Sequence, residues 1–177
     1  MKAPAVRRLT ALDDVQLQGL TDVLRDCVDG GASVSFMHPL PMAHALAFWR
    51  GVADGVARGE RALLIAEDAA GAIVGTVQLV LAQPDNQPHR ADIAKMLVAR
   101  ETRRQGVAAA LMRGAEQVAI EEGKTLLVLD TSSDDAKRLY ERQGWQRCGV
   151  IPGYALLPRG GLCDTTVYFK PLPAPAA

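Results

Sequence analysis

Aromatic residues make up only 5% of the sequence, and Lys+Arg and Asp+Glu number 20 each, so the chain carries no formal net charge. A neutral chain with so few rings offers neither the basic footprint nor the base-stacking platform that nucleic acid requires, and nothing that draws it to an anionic membrane surface. No apolar run approaches the roughly 18 residues that cross a bilayer. The opening Met1-Lys2-Ala3-Pro4-Ala5-Val6-Arg7-Arg8 lacks the apolar stretch of a secretory signal. Cysteine is sparse: Cys27, Cys148 and Cys163 form no CxxC pair and no disulfide framework, and with His38, His44 and His89 equally scattered there is no ligand set for a metal. These absences lead to the expectation of a cytoplasmic protein with no nucleic-acid, membrane or metal partner. What is abundant is hydrophobic residues, 49% of 177, enough for one core. The expected organisation is a single domain over 1–170 followed by a Pro/Ala-rich tail, 171–177, that neither continues a strand nor starts a helix.

Hydrophobic spacing predicts the elements. Val6 to Leu9 reads as a short strand. Leu17, Leu20, Val23, Leu24, Cys27 and Val28 follow helical spacing, with Asp13 as cap and Gly30-Gly31 as stop. A loop from Gly31 to Pro41 precedes a second helix, about Met42 to Ala57. Strands are predicted at Ala62–Glu67, at Ile73–Leu81, where Ile73, Gly75, Val77, Leu79 and Leu81 share a face, and at Ala91–Ala99. Val107, Ala108, Leu111, Met112, Ala115, Val118 and Ala119 then form one helical stripe closed by Gly123. The apolar run Thr125–Leu129 reads as a strand buried on both faces, followed by a helix from about Asp134 to Gln143 and strands at Trp145–Gly149 and Thr165–Phe169. A strand–helix–strand unit from Ala91 to Asp130 implies a right-handed parallel crossover inside an otherwise hairpin-built sheet. The fold class is therefore α/β (α+β), a mixed sheet covered by helices.

Between the Ala91–Ala99 strand and its helix lies Arg103-Arg104-Gln105-Gly106-Val107-Ala108. The first turn of a helix has N–H groups without intrahelical partners and sits at the positive end of the macrodipole, so a diphosphate placed there accepts several backbone hydrogen bonds. Gly106 and Ala108 let the backbone come close, and the two arginines add charge. An ordinary basic helix start with a tight turn has the same composition. Neither GxGxxG after an early strand nor GxxxxGK[ST] occurs, so dinucleotide and triphosphate loops are unsupported.

The run from Val98 to Ala108 resembles the acyl-CoA-binding motif [RQ]-x-x-G-x-[GA] of the GNAT superfamily of N-acyltransferases. Downstream, Ala136-x-x-Leu139-Tyr140-x-Arg142-x-Gly144-Trp145 is similar to the superfamily's helix-to-strand segment. Arg100, Arg104 and Ser133 stand where many members have proline, glycine and asparagine. Gly30 to Met37, Leu129-Asp130-Thr131, Pro152-Gly153-Tyr154 and Tyr168-Phe169-Lys170 resemble the corresponding segments of bacterial members that acetylate a β-lactam toxin.

The resemblance implies a GNAT-like fold: about seven mostly antiparallel strands with a splayed parallel central pair, flanked by about four helices. It also implies transfer of an acetyl group from acetyl-CoA, as cosubstrate, to a primary amine of a small molecule, by a monomer or homodimer. The pantetheine arm would pair with Met96, Leu97 and Val98, and Arg103, Arg104, Gln105, Gly106, Val107 and Ala108 would hold the diphosphate. An alkylammonium is almost wholly protonated near neutral pH, so a base is needed. Asp92, six residues before Val98, is the first choice on family spacing. Asp130, at the end of a parallel strand, either shares that role or pairs with the substrate ammonium, unless it is a turn carboxylate. Tyr140 would face the CoA sulfur as acid, the alternative being a packing tyrosine. Ser33, Phe36, Met37 and Tyr154 are acceptor-side candidates; the histidines and cysteines receive no chemistry. Acetylation of a peptide or protein amine, and acyl-CoA sensing without turnover, are the competing functions.

Overall fold

The computed structural model describes residues 5–173. Its elements are β1 (Ala5–Leu9), α1 (Asp14–Asp29), α2 (Met42–Ala57), β2 (Arg61–Glu67), β3 (Ile73–Val80), β4 (Arg90–Val98), α3 (Val107–Glu121), β5 (Leu126–Thr131), α4 (Asp134–Arg142), β6 (Gln146–Leu156) and β7 (Leu162–Pro171), with one 3₁₀ turn at Arg100–Thr102. The seven strands form one sheet in the order β1-β2-β3-β4-β5-β7-β6. Only β4 and β5 are parallel, joined by the α3 crossover. The expected mixed sheet with a parallel central pair is the observed one.

Helix α1 is started by local chemistry. The Asp13 carboxylate accepts from the Gln16 N–H at 2.8 Å, and the Gln16 side chain accepts from the Asp13 N–H at 3.0 Å, so α1 opens with a reciprocal cap. Its apolar stripe, with Trp49 and Val52 of α2, packs on Leu63 and Ile65 of β2. The alternate residues of β2, Ala62, Leu64 and Ala66, face Leu111, Met112 and Ala115 of α3 on the other side. The sheet is thus buried on both faces. Accordingly, Thr76 and Gln78 on β3, polar positions between the apolar ones, are buried too, and the Thr76 hydroxyl is satisfied by donating to the Leu64 carbonyl at 2.9 Å.

Two features depart from the reading of the sequence. β6 and β7 form a much longer hairpin than Trp145–Gly149 and Thr165–Phe169, and the added part of β6 is largely exposed; it carries no alternation to read, and its register breaks between Ile151 and Ala155. Pro171, expected to end strand structure, occupies the last β7 position opposite Leu126, where no N–H is demanded of it. The chain continues in register, the Leu172 N–H donating to Thr125 O at 2.9 Å. Of the expected tail, 174–177 lies outside the described residues.

Where α3 begins, it presses hard on β3. A Cβ at Gly75 would stand 3.0 Å from the Leu97 carbonyl oxygen, Leu111 Cδ1 and Val107 Cγ1. Because one of those atoms is backbone, relief requires moving a strand. Gly75→Ala is expected to lower folding stability by about 1–3 kcal/mol, read from the urea midpoint.

Candidate active site

β4 and β5 pair only at Arg90–Leu126, Ala91–Leu127 and Asp92–Val128. Beyond Asp92 they part. The cause lies in β4: opposite β3, Thr76 pairs with Leu97 and Gln78 with Ala94, so two residues, Lys95 and Met96, face the single Val77. This is a bulge, and Lys95 sits in it at φ +50°. The extra residue reverses the alternation: Ile93 packs on the α3 side, whereas Leu97 packs on the α1–α2 side. The diverging strands open a cleft of about 900 Å³ that reaches from the start of α3 to the β6–β7 hairpin.

The Ala99 N–H donates to Val74 O at 2.9 Å. With the register Leu97–Thr76 and Val98–Gly75, alternation turns the N–H and C=O of Leu97 toward β3 and those of Val98 toward the opening. The Val98 carbonyl accepts from Arg103 Nε at 3.3 Å and from Cys27 Sγ at 3.5 Å. Its N–H has no strand partner among the described residues. Met96, Leu97 and Val98 all line the cleft.

At the other end of the opening stands the first turn of α3. Gly106 is the N-cap at φ +83°, the left-handed region that glycine enters without strain. Unlike α1, this helix has no side-chain cap. Its first intrahelical bond is Ala110 N–H to Gly106 O at 3.0 Å, which leaves the N–H groups of Val107, Ala108 and Ala109 to whatever lies in the cleft. Arg103, Arg104, Gly106, Val107 and Ala108 line it; Gln105 does not. The Gln105 amide instead donates to the Glu101 carbonyl at 3.2 Å and shapes the loop from behind. Arg138 and Arg142 of α4 add positive charge to this wall. The N-terminus of α4 is already satisfied, since Ser133 Oγ accepts from the Ala136 N–H at 3.3 Å. Serine in place of the usual asparagine therefore serves as a helix cap.

The carboxylates separate clearly. Asp92 is not in the cleft wall. It belongs to the last pair before the strands part, where its side chain is ion-paired with Arg90 and accepts from Gln83 Nε2 at 3.3 Å. Asp92, the first choice of base on family spacing, thus stands beside Arg90 and Gln83 rather than in the cleft wall. Asp130, one residue from the end of β5, does line the opening, and Thr165 Oγ1 donates to its Oδ2 at 2.7 Å. Tyr140 lines the same opening from α4, 4% exposed and packed against Trp145 and Tyr168 at ring-centroid distances of 5.8 and 6.0 Å. Burial, with the Asp130 charge adding to it, raises the phenol far above its ordinary range. Tyr140 is a neutral hydrogen-bond donor at any physiological pH.

The far end of the cleft is walled by residues 30–35 and the β6–β7 hairpin. Ser33 Oγ donates to Leu156 O at 3.2 Å, His38 N–H to Pro158 O at 2.8 Å, and Arg159 Nη1 to Asp29 O at 3.2 Å. Ser33 and Tyr154 line the cleft; Phe36 and Met37 do not, Phe36 packing edge-on against Phe48 and His44. Cys27 reaches the cleft, but burial pushes its thiol up despite Arg103 nearby, so it is not a ready nucleophile. The residue that sequence reasoning missed is Lys95, whose Nζ donates to Ser35 Oγ at 3.0 Å in the cleft wall. Its signal was a lone charge in an otherwise apolar run, Ile93 to Val98.

The profile of the acetyltransferase (GNAT) family matches residues 32–145. Among solved structures, the chain is similar to a phosphinothricin acetyltransferase from Sinorhizobium meliloti in complex with acetyl-CoA, at 16% identity and TM-score 0.79 over 97% of this chain and 89% of that one. It is similar to the yncA protein of Salmonella typhimurium, solved with its cofactor acetyl-CoA, at 17% identity and TM-score 0.77 over 99% and 98%. It is similar also to a ribosomal-protein-alanine N-acetyltransferase from Brucella melitensis, at 19% identity and TM-score 0.79 over 95% and 99%. At such identities these likenesses speak for the fold. The family profile, in contrast, spans most of the chain and takes in the splayed strands, the uncapped helix and Tyr140: the chain belongs to the acetyltransferase (GNAT) family.

Proposed function

We propose that the chain moves the acetyl group of acetyl-CoA directly to a primary amine of a small molecule. One observation carries this reading: a single cleft joins the uncapped first turn of α3 to the free Val98 N–H, with Asp130 and Tyr140 on its wall. The N–H groups of Val107, Ala108 and Ala109, with Arg103 and Arg104, hold the diphosphate. The exposed edge of β4 at Met96–Val98 orients the pantetheine arm. The Val98 N–H faces the thioester oxygen as negative charge develops on it, an effect worth about 3 kcal/mol for one fixed donor in other acyl-transfer enzymes.

Asp130, rather than Asp92, is the base in this reading. As the amine nitrogen bonds to the acetyl carbon and the C–S bond breaks, Asp130 takes the amine proton, directly or through a water. Tyr140 donates to the departing sulfur. Contacts between residues 30–38 and the β6–β7 hairpin close over the acceptor end, which favours a small acceptor over a protein chain. The likeness of Gly30–Met37 and Pro152-Gly153-Tyr154 to the tabtoxin resistance protein extends the reading to an amine-bearing antimetabolite such as tabtoxinine-β-lactam. Three cysteines that remain free thiols suit a reducing, cytoplasmic setting.

Mixing the protein with acetyl-CoA and a panel of small amines is expected to release free thiol; tight binding of acetyl-CoA with no release from any amine supports a sensor instead. Gly106→Val forces a β-branched residue to φ +83° and is expected to weaken acetyl-CoA binding about tenfold, strain of about 1–3 kcal/mol being typical there; calorimetric affinity equal to the parent's contradicts the diphosphate seat. Tyr140→Phe should reduce kcat on the order of 10²-fold with little change in acetyl-CoA affinity. Asp130→Asn should slow transfer most near neutral pH and least at high pH, where the amine is already deprotonated, whereas a uniform loss across pH speaks against a base.

A further inference from the structure

The described lysines differ in how their charge is met. Lys137 and Lys170 each face a carboxylate, Asp134 at 3.0 Å and Glu116 at 2.8 Å. Lys124 is held by the carbonyls of Leu81 at 3.2 Å and Pro88 at 2.8 Å. Lys95 is the exception. Its ammonium has the Ser35 hydroxyl at 3.0 Å and the Phe48 ring at 5.8 Å, and among the described residues no carboxylate at ion-pair distance. An ammonium has three donors; the Ser35 hydroxyl takes one and the other two are open to solvent or to a ligand.

Backbone conformation fixes this placement. Lys95 occupies the β4 bulge at φ +50°, and Ser35, its partner, stands at φ +77° in the facing loop. Both residues line the cleft, as does Asp130. Burial draws the Lys95 ammonium below its ordinary range; the charge of Asp130 opposes this, and that of Arg61 on β2 adds to it. The cleft therefore presents, on β4, a cation with no carboxylate at ion-pair distance among the described residues and, on β5, an anion, across the gap between the diverging strands. A ligand with one charge of each sign fits that pattern, its anion completing the shell of Lys95 and its ammonium facing Asp130.

We infer that the acceptor is an amino-acid-like zwitterion whose carboxylate is bound by Lys95 and Ser35 while its primary amine faces Asp130. This rests on the proposed acetyl transfer and assigns its substrate class. The amine then lies beside the base, and the carboxylate sets its orientation.

The test uses the full chain, acetyl-CoA and the standard L-amino acids, each beside its carboxamide and its decarboxylated amine, with thiol release as the readout. The wild-type protein is expected to favour the carboxylate-bearing member of each set that reacts. In Lys95→Met the ratio of kcat/KM between amino acid and carboxamide is expected to fall at least about 30-fold, the low end for removing one partner of a bound charge pair, with the change in acceptor KM. Lys95→Arg should retain part of the ratio, and Ser35→Ala should lower it less than Lys95→Met. A merely structural role for Lys95 lowers all acceptors together and leaves the ratio intact, which would overturn the inference. So would a wild-type preference for the carboxamide or the decarboxylated amine, a result that leaves acetyl transfer standing and does not depend on any variant folding. A Lys95→Met defect confined to the KM for acetyl-CoA also overturns it. Thiol release from no amine at all removes the proposed transfer and this inference together.

Discussion

The chemistry of this chain depends on two parallel strands that pair for three residues and then separate. A fully zipped β4–β5 pair would consume the Val98 N–H in the sheet and fill the space between the strands with side chains. The β4 bulge at Lys95 and Met96 prevents that. It interrupts the ladder, turns the alternation over and leaves a strand edge facing inward, in the middle of the sheet rather than at its border. Exposed edges are normally a hazard; here α1, α3, α4 and the last hairpin surround the edge, so that a ligand rather than another chain can reach it.

Around this opening the electrostatics are divided by position. The α3 end gathers uncapped N–H groups and Arg103, Arg104, Arg138 and Arg142. The middle holds a neutral, buried phenol and a carboxylate fixed by Thr165. The far end has Lys95, whose ammonium meets the Ser35 hydroxyl and no carboxylate at ion-pair distance among the described residues. In the proposed reading, an anionic carrier, a reacting carbonyl and an amine with its own counter-charge lie along this one path.

Much of the fold could be read before the structure. Helical stripes and caps predicted α1 to α4, and the short apolar runs predicted the first five strands, because burial on a fixed period leaves a trace in residue type. The glycine-opened start of α3 with its neighbouring arginines was equally legible, since it is a local feature. The point where β4 leaves β5 was not, because it depends on pairing between strands far apart in sequence. Spacing along β4 therefore does not show that Asp92 sits in the closed part of the pair. Lys95 was overlooked for the same reason: without the bulge, its side chain has no reason to point into an opening. The exposed half of the β6–β7 hairpin carries no apolar alternation, and Pro171 looked like a stop because its tolerance at a strand end depends on the partner.

Amide hydrogen exchange with and without acetyl-CoA addresses the central claim most directly. The account predicts that acetyl-CoA slows exchange at Val98 in β4 and at Val107, Ala108 and Ala109 in the first turn of α3, with little change at Asp92 or Leu126, where the strands are already paired. Unchanged exchange at Val98 and the α3 first turn, with protection appearing elsewhere at saturating acetyl-CoA, would contradict it.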